Sequence, residues 1–365
     1  MKYSSGLDGL RGISVVFVIL YHYGYLRFGW IGVQMFFVLS GYLITNILLE
    51  DKKSDHYYYN FYSKRILRIF PLYFFYIMLL TILFAVVRQP DDYEGNIKWL
   101  ITFTYNIKRM FFGEGVSLFF THFWSLSVEE QFYLFWPFIV YKFSELRLKC
   151  ILVLLLVGVP GLRYLLVEIA SIWNNDSWWL GSLVYNSTFC QMDAFAVGAI
   201  IATIGVNNIH IRIKNIAYLT LAFLITGLTI AYCINGSSVI YSFSEKTQYL
   251  KPEYLVENGY MHVWFYSAIN LLTGFMIMET LTNSRTIIDN KIMVYIGKIS
   301  YGVYVYHLPL LWLVKRYVDF NTIKFNIIGS LLFVLYFVVV IGISALSYHF
   351  LEYRFLKLKK IIVKA

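Results

Sequence analysis

Charge is scarce in this chain. Only 14% of its 365 residues are Asp, Glu, Lys or Arg, against about 25% in soluble domains, which excludes an ordinary water-soluble globule. Cysteine is nearly absent as well. Cys150, Cys190 and Cys233 are the only three, and none stands in a C-x-x-C or metal-ligand spacing, which argues against a disulfide framework and against a zinc site. No repeat period, low-complexity tract or long linker divides the sequence, so residues 1–365 read as one domain.

Apolar residues fill the gap. They make up 59% of the chain, and 20% of it is Phe, Tyr or Trp, the composition of an integral membrane protein with aromatic belts and a packed interior. The net charge of +10 would suggest nucleic acid in a soluble protein. Here the basic residues fall in short loops and the tail, which is the mark of cytoplasmic loops, and nucleic-acid binding is not expected.

Apolar runs predict ten spans, near residues 8–27, 29–50, 66–87, 123–143, 150–168, 188–206, 215–234, 261–281, 294–316 and 326–350. The first lacks a small-residue cleavage site and leads directly into the second, so it reads as a retained helix rather than a signal peptide. Trp99–Phe112 is broken by Asn106, Lys108 and Arg109 and is expected to be interfacial or re-entrant. Leaving it out puts the Lys/Arg-rich loops 51–65, 142–149, 207–214 and 282–291, with the tail, on one side. Segment 171–187, free of Lys and Arg, and the acidic Asp91, Asp92 and Glu94 fall on the other. Lys315, Arg316 and Lys324 break the pattern. The expectation is an all-α polytopic membrane protein of about ten transmembrane helices with both termini cytoplasmic.

Ionisable groups within such spans are costly and usually face an interior or a water-filled cavity. Arg11 and His22 share the first span, about 16 Å apart at a helical rise near 1.5 Å per residue. One helix thus carries an anion-binding cation low down and a proton-transfer group higher up. Arg65 and Arg68 sit on the cytoplasmic side, as does Glu352. Glu129, Glu130, Asp193 and His307 fall in the outer half beside His22. Plainer readings stand next to these: inside anchoring for Arg65 and Arg68, helix N-terminal charge for Glu129 and Glu130, capping for Asp193, an arginine partner for Glu352, and for His307 a bond to a carbonyl freed by Pro309.

Five motifs occur in order along the chain: Leu7-Asp8-Gly9-Leu10-Arg11-Gly12 with His22 eleven positions after Arg11; Gly32 to Gly41; Arg65-x-x-Arg68-Ile69-x-Pro71-x-Tyr73; Trp124 to Gln131; and Ser300-Tyr301-Gly302-x-Tyr304-x-x-His307. In these the chain resembles the acyltransferase-3 family of bacterial membrane O-acyltransferases over nearly its whole length. It departs from the family pattern at Gln34, where an acid is usual, at Gln191, where a base is common, and at Glu352-Tyr353-Arg354-Phe355, which lacks a proline.

The resemblance implies a bundle of about ten helices in the bacterial inner membrane, in a standalone form without a hydrolase-like C-terminal domain. It also implies acetyl-CoA as acyl donor, no metal, and as acceptor a hydroxyl on a surface carbohydrate or its lipid-linked precursor. On that reading Arg65, Arg68 and Arg11 bind the donor phosphates. His22 is the base, Glu129 orients it, and His307 or Tyr301 stabilises the oxyanion. Glu130, Asp193, Tyr301 and Trp124 are assigned to substrate binding. The alternative is a glycan or lipid flippase, which intramembrane charges also suit, although the repeats typical of transporters are not found.

Overall fold

The computed structural model describes residues 4–87, 94–112, 117, 119–205, 209–236, 251–257, 260–282, 287–318 and 325–362. Asp91, Asp92, Lys324 and the loop positions 283–286, used above to orient the chain, lie outside them. Every regular element among the described residues is helical. In chain order these are α1 (Ser5–Tyr23), α2 (Ile31–Asp51), α3 (Tyr57–Val87), α4 (Glu94–Ile101), α5 (Tyr105–Phe112), α6 (Phe123–Lys142), α7 (Glu145–Ser171) and α8 (Ser177–Asn186). They continue as α9 (Met192–Ile204), α10 (Ile209–Asn235), α11 (Met261–Thr282), α12 (Lys291–Lys298), α13 (Ser300–Tyr317), α14 (Ile327–Ser347) and α15 (Tyr353–Ile362), the last preceded by a π-helical turn, Tyr348–Glu352.

Six of these segments are long and apolar enough to cross a membrane: Ile31–Asp51, Tyr57–Val86, Glu145–Ser171, Ile216–Ile234, Met261–Thr282 and Ile327–Lys359. A seventh would be the pair Ser177–Asn186 and Phe189–Ile204, bent by 72°. Helices α1, α6 and α13, although 19, 20 and 18 residues long, are not among them. Arg11, His22, Glu129, Glu130 and His307 lie on these three, and that polarity lowers their hydropathy. The run Trp99–Phe112 forms parts of two short helices, α4 and α5, separated by Phe103 in the left-handed region (φ 52°).

Burial separates the centre from the rim. The apolar window of α2 is 72% buried, whereas those of α7 and α10 are 22% and 17% buried. Outward-facing residues on the rim, such as Leu154, Val157, Leu331 and Val338, give lipid an apolar surface. The centre holds large buried aromatics such as Trp30, Trp136 and Phe37, and at several points the helix backbones also approach closely, as is common in lipid. A Cβ on Gly9 or Gly12 would overlap the carbonyl oxygens of Ile288 and Met293, and one on Gly297 would overlap that of Asp8. The glycines of the first motif therefore seat α1 against α12 and fix where Arg11 points. Gly41 and Gly198 do the same between α2 and α9. Helix α1 ends at Gly24, whose φ of 91° lets its N–H cap the carbonyls of Leu20 and Tyr21, the usual role of glycine at a helix C-terminus.

Candidate active site

Five helices wall a half-open cleft. Arg11 comes from α1, Ser40 from α2, Arg65 and Arg68 from α3, Ser125, Glu129 and Tyr133 from α6, and Tyr301 and Tyr304 from α13. Three arginines expected to hold an anion thus share one space. Arg11 is partly offset by Asp8, at 3.3 Å. Arg65 lies 5.9 Å above the rings of both Phe61 and Tyr133, a stacked setting that suits guanidinium better than ammonium. Tyr301 donates to the carbonyl of Ile69 at 2.9 Å, tying α13 to the arginine-bearing helix.

Glu129 also faces the cleft, but not His22. It accepts hydrogen bonds from Tyr133, at 2.6 Å, and from Ser40. The hydrogen-bonded neighbour of His22 is instead His307. His22 Nδ1 lies 3.0 Å from the carbonyl of Val18 and 3.2 Å from His307 Nε2. His307 Nδ1 lies 2.7 Å from the carbonyl of Tyr304.

These contacts fix the tautomers. A carbonyl oxygen can only accept, so both Nδ1 atoms carry hydrogen. Neutral His307 then offers the lone pair of Nε2 to His22 Nδ1–H. The remaining nitrogen of His22, Nε2, holds a lone pair and is the basic atom. The carbonyl that Pro309 frees by lacking an N–H is that of Val305, four residues back, so the bond from His307 to Tyr304 is not simply a repair of the proline break.

A third imidazole, His122, which the sequence does not single out, meets His307 edge-on with ring centroids 5.1 Å apart. It directly precedes α6, where it reads as a helix boundary residue. Among the described residues no group of three or more His, Cys, Asp or Glu is placed to hold a metal ion. Between the histidines and the cleft stands Tyr304. Its hydroxyl meets Ser125 Oγ at 2.5 Å and donates to the carbonyl of His122 at 2.9 Å. Tyr304 lines the cleft, whereas His22 and His307 lie behind it.

Other expected site residues lie elsewhere. Asp193 is fully buried: Oδ1 takes Arg163 Nη2 at 2.5 Å and Oδ2 takes Ser267 at 2.6 Å. Arg163 also donates to the carbonyls of Cys190 and Val263, joining α7, α9 and α11. The substrate-binding expectation for Asp193 therefore gives way to a structural ion pair, which the lone arginine in the apolar run of α7 could have signalled. Trp124 packs against Tyr185 and Phe37, with ring centroids 4.4 and 6.1 Å away, and Glu130 stands next to the cleft with Oε1 buried and without a partner; neither lines the cleft. Glu352 is buried beside Gly302.

The two main departures from the family pattern turn out to be one contact. Gln34 Nε2 donates to Gln191 Oε1 at 2.7 Å, and Gln191 Nε2 donates to the carbonyl of Tyr185 at 2.8 Å. Both partners are neutral amides, so the contact leaves no buried charge unpaired.

The sequence that builds this bundle matches a known family. The chain belongs to the acyltransferase-3 family, whose acyltransferase domain is matched over residues 4–349. A Staphylococcus aureus (strain MSSA476) protein provisionally named an O-acetyltransferase is 29% identical over 98% of this chain and 58% of its own length. The peptidoglycan O-acetyltransferase OatA of Listeria monocytogenes is 28% identical over 86% of this chain and 50% of its own. The O-acetyltransferase OatA of Staphylococcus aureus (strain NCTC 8325) is 26% identical over 87% and 52%. The chain thus spans about half the length of these relatives. No solved structure matches it.

Proposed function

We propose that this protein is a membrane O-acyltransferase that moves an acetyl group from acetyl-CoA to a hydroxyl of a cell-surface carbohydrate or its lipid-linked precursor. The observation that carries the reading is the histidine pair, whose hydrogen bonds leave His22 Nε2 as a free base behind a cleft lined by three arginines. The name of one relative, the peptidoglycan O-acetyltransferase of Listeria monocytogenes, supports transfer to a glycan. In this reading α1, α6 and α13 join the seven apolar spans to give ten crossings of the inner membrane, with both termini cytoplasmic.

Arg65, Arg68 and Arg11 hold the donor's phosphates through paired charge-assisted hydrogen bonds, and the pantetheine arm runs along the cleft toward Tyr304. Movement of the Tyr304 side chain away from Ser125 opens the way to His22. His22 Nε2 removes the proton of the acceptor hydroxyl as its oxygen attacks the thioester carbonyl. The carbon–sulfur bond breaks, and the departing thiolate takes the proton from the imidazolium. Throughout, Nδ1–H of His22 stays bonded to Val18 and His307, which steadies the ring while it is charged. Purified protein in lipid nanodiscs, given labelled acetyl-CoA and glycan acceptors, should release CoA and label the acceptor. A folded His22→Ala protein with wild-type rates would refute the assignment.

A further inference from the structure

Tyr304 stands where the cleft ends and the histidines begin. It lines the cleft together with Arg65, Arg68 and Ser125, and its ring centroid lies 5.6 Å from that of His307. Its hydroxyl and that of Ser125 are 2.5 Å apart, and the two reach the same carbonyl oxygen, that of His122, at 2.9 and 3.1 Å. A hydroxyl carries one hydrogen, so two hydrogens serve three contacts. Ser125 reaches a carbonyl only three residues back in its own chain, a local bond that survives when the tyrosine turns. Tyr304, on α13, is the partner that can leave.

Attack on a thioester places negative charge on the carbonyl oxygen, and a donor aimed at that oxygen is a large part of catalysis in acyl transfer. The two donors expected from the sequence are engaged elsewhere. The single hydrogen of neutral His307 sits on Nδ1 and points to the carbonyl of Tyr304. The Tyr301 hydroxyl is spent on the carbonyl of Ile69. We infer that the Tyr304 hydroxyl is the oxyanion donor, released from the His122 carbonyl as its side chain turns and donating to the thioester oxygen when the acceptor attacks. This rests on the acyl-CoA reading above. No proton changes hands in the step: the hydrogen bond strengthens as the carbonyl becomes an oxyanion, and it relaxes when the carbon–sulfur bond breaks and the carbonyl re-forms. A tyrosine that served only as a door would act in the opposite sense, because its hydroxyl would hold the way to His22 shut and losing it would leave the reaction as fast or faster.

The test measures CoA release from acetyl-CoA by the protein in nanodiscs, with soluble peptidoglycan fragments as acceptor. Tyr304→Phe should lower kcat about 10²–10³-fold, the loss of one oxyanion donor, and leave KM for acetyl-CoA within about twofold, which also reports a folded donor site. Ser125→Ala, which empties the other side of the same contact, should lower kcat less than about fivefold. A Tyr304→Phe protein as fast as wild type would overturn the inference and leave Tyr304 a door. An equal loss in Ser125→Ala would overturn it too, by tracing the effect to packing of the junction. Wild-type protein that releases no CoA would instead remove the transferase reading, and this inference with it.

Discussion

Replacing His307 by alanine removes the acceptor facing His22 and leaves the base itself in place. While His22 is neutral, its single Nδ1–H is shared between Val18, at 3.0 Å, and His307, at 3.2 Å. A neutral hydrogen bond of this kind contributes about 1 kcal/mol, and one from a charged donor about 1.5–3 kcal/mol. Only the gain on charging speeds the reaction, because stabilisation common to both states cancels. That gain is about 0.5 to 2 kcal/mol, or about two- to thirtyfold in kcat. Removing the base outright, as in His22→Ala, should cost about 10²–10⁴-fold. Since His307 acts through His22, the double variant should be no slower than His22→Ala alone. His307→Gln, which can return an acceptor oxygen near the place of Nε2, should recover part of the rate. Initial rates of labelled acetyl transfer in nanodiscs give all four values. If the His307 substitution multiplies the loss in the absence of His22, the positioning role is refuted and His307 contacts the reacting groups itself.

Two further predictions concern the buried polar contacts. Arg163→Leu or Asp193→Asn should each lower stability by about 3–5 kcal/mol by stranding the partner charge, while the folded fraction keeps its KM; a detergent melting series with matched kinetics checks both. Gln34→Glu should likewise destabilise, and adding Gln191→Arg should restore stability by turning the amide pair into an ion pair. Additive losses in that double-mutant cycle would show that the two positions do not act as one contact.

Much of the site could be read from the sequence because membrane burial makes polar residues conspicuous. Arg11, Arg65, Arg68 and Glu129 stand out against apolar neighbours, and the structure gathers them around one cleft. What could not be read was who pairs with whom. His22 and His307 are 285 positions apart and Gln34 and Gln191 are 157 apart, and neither periodicity nor loop charge carries information over such distances. Glu129 was matched to His22 because both were placed at a similar depth. Depth is a one-dimensional coordinate, and the rotation of α6 turns the carboxylate toward Ser40 and Tyr133 instead. Arg163 was passed over for the opposite reason: a single cation inside an apolar run did not interrupt it, although a fully buried guanidinium demands a carboxylate and Asp193 was available. The span count follows the same logic. Hydropathy underrates α1, α6 and α13 because they carry polar groups; burial alone does not hide a span, since the window of α2 is 72% buried and still passes. In this fold α1 and α13 supply the histidine pair although neither reads as a span, and with α6 they share the walls of the cleft with α2 and α3, which do.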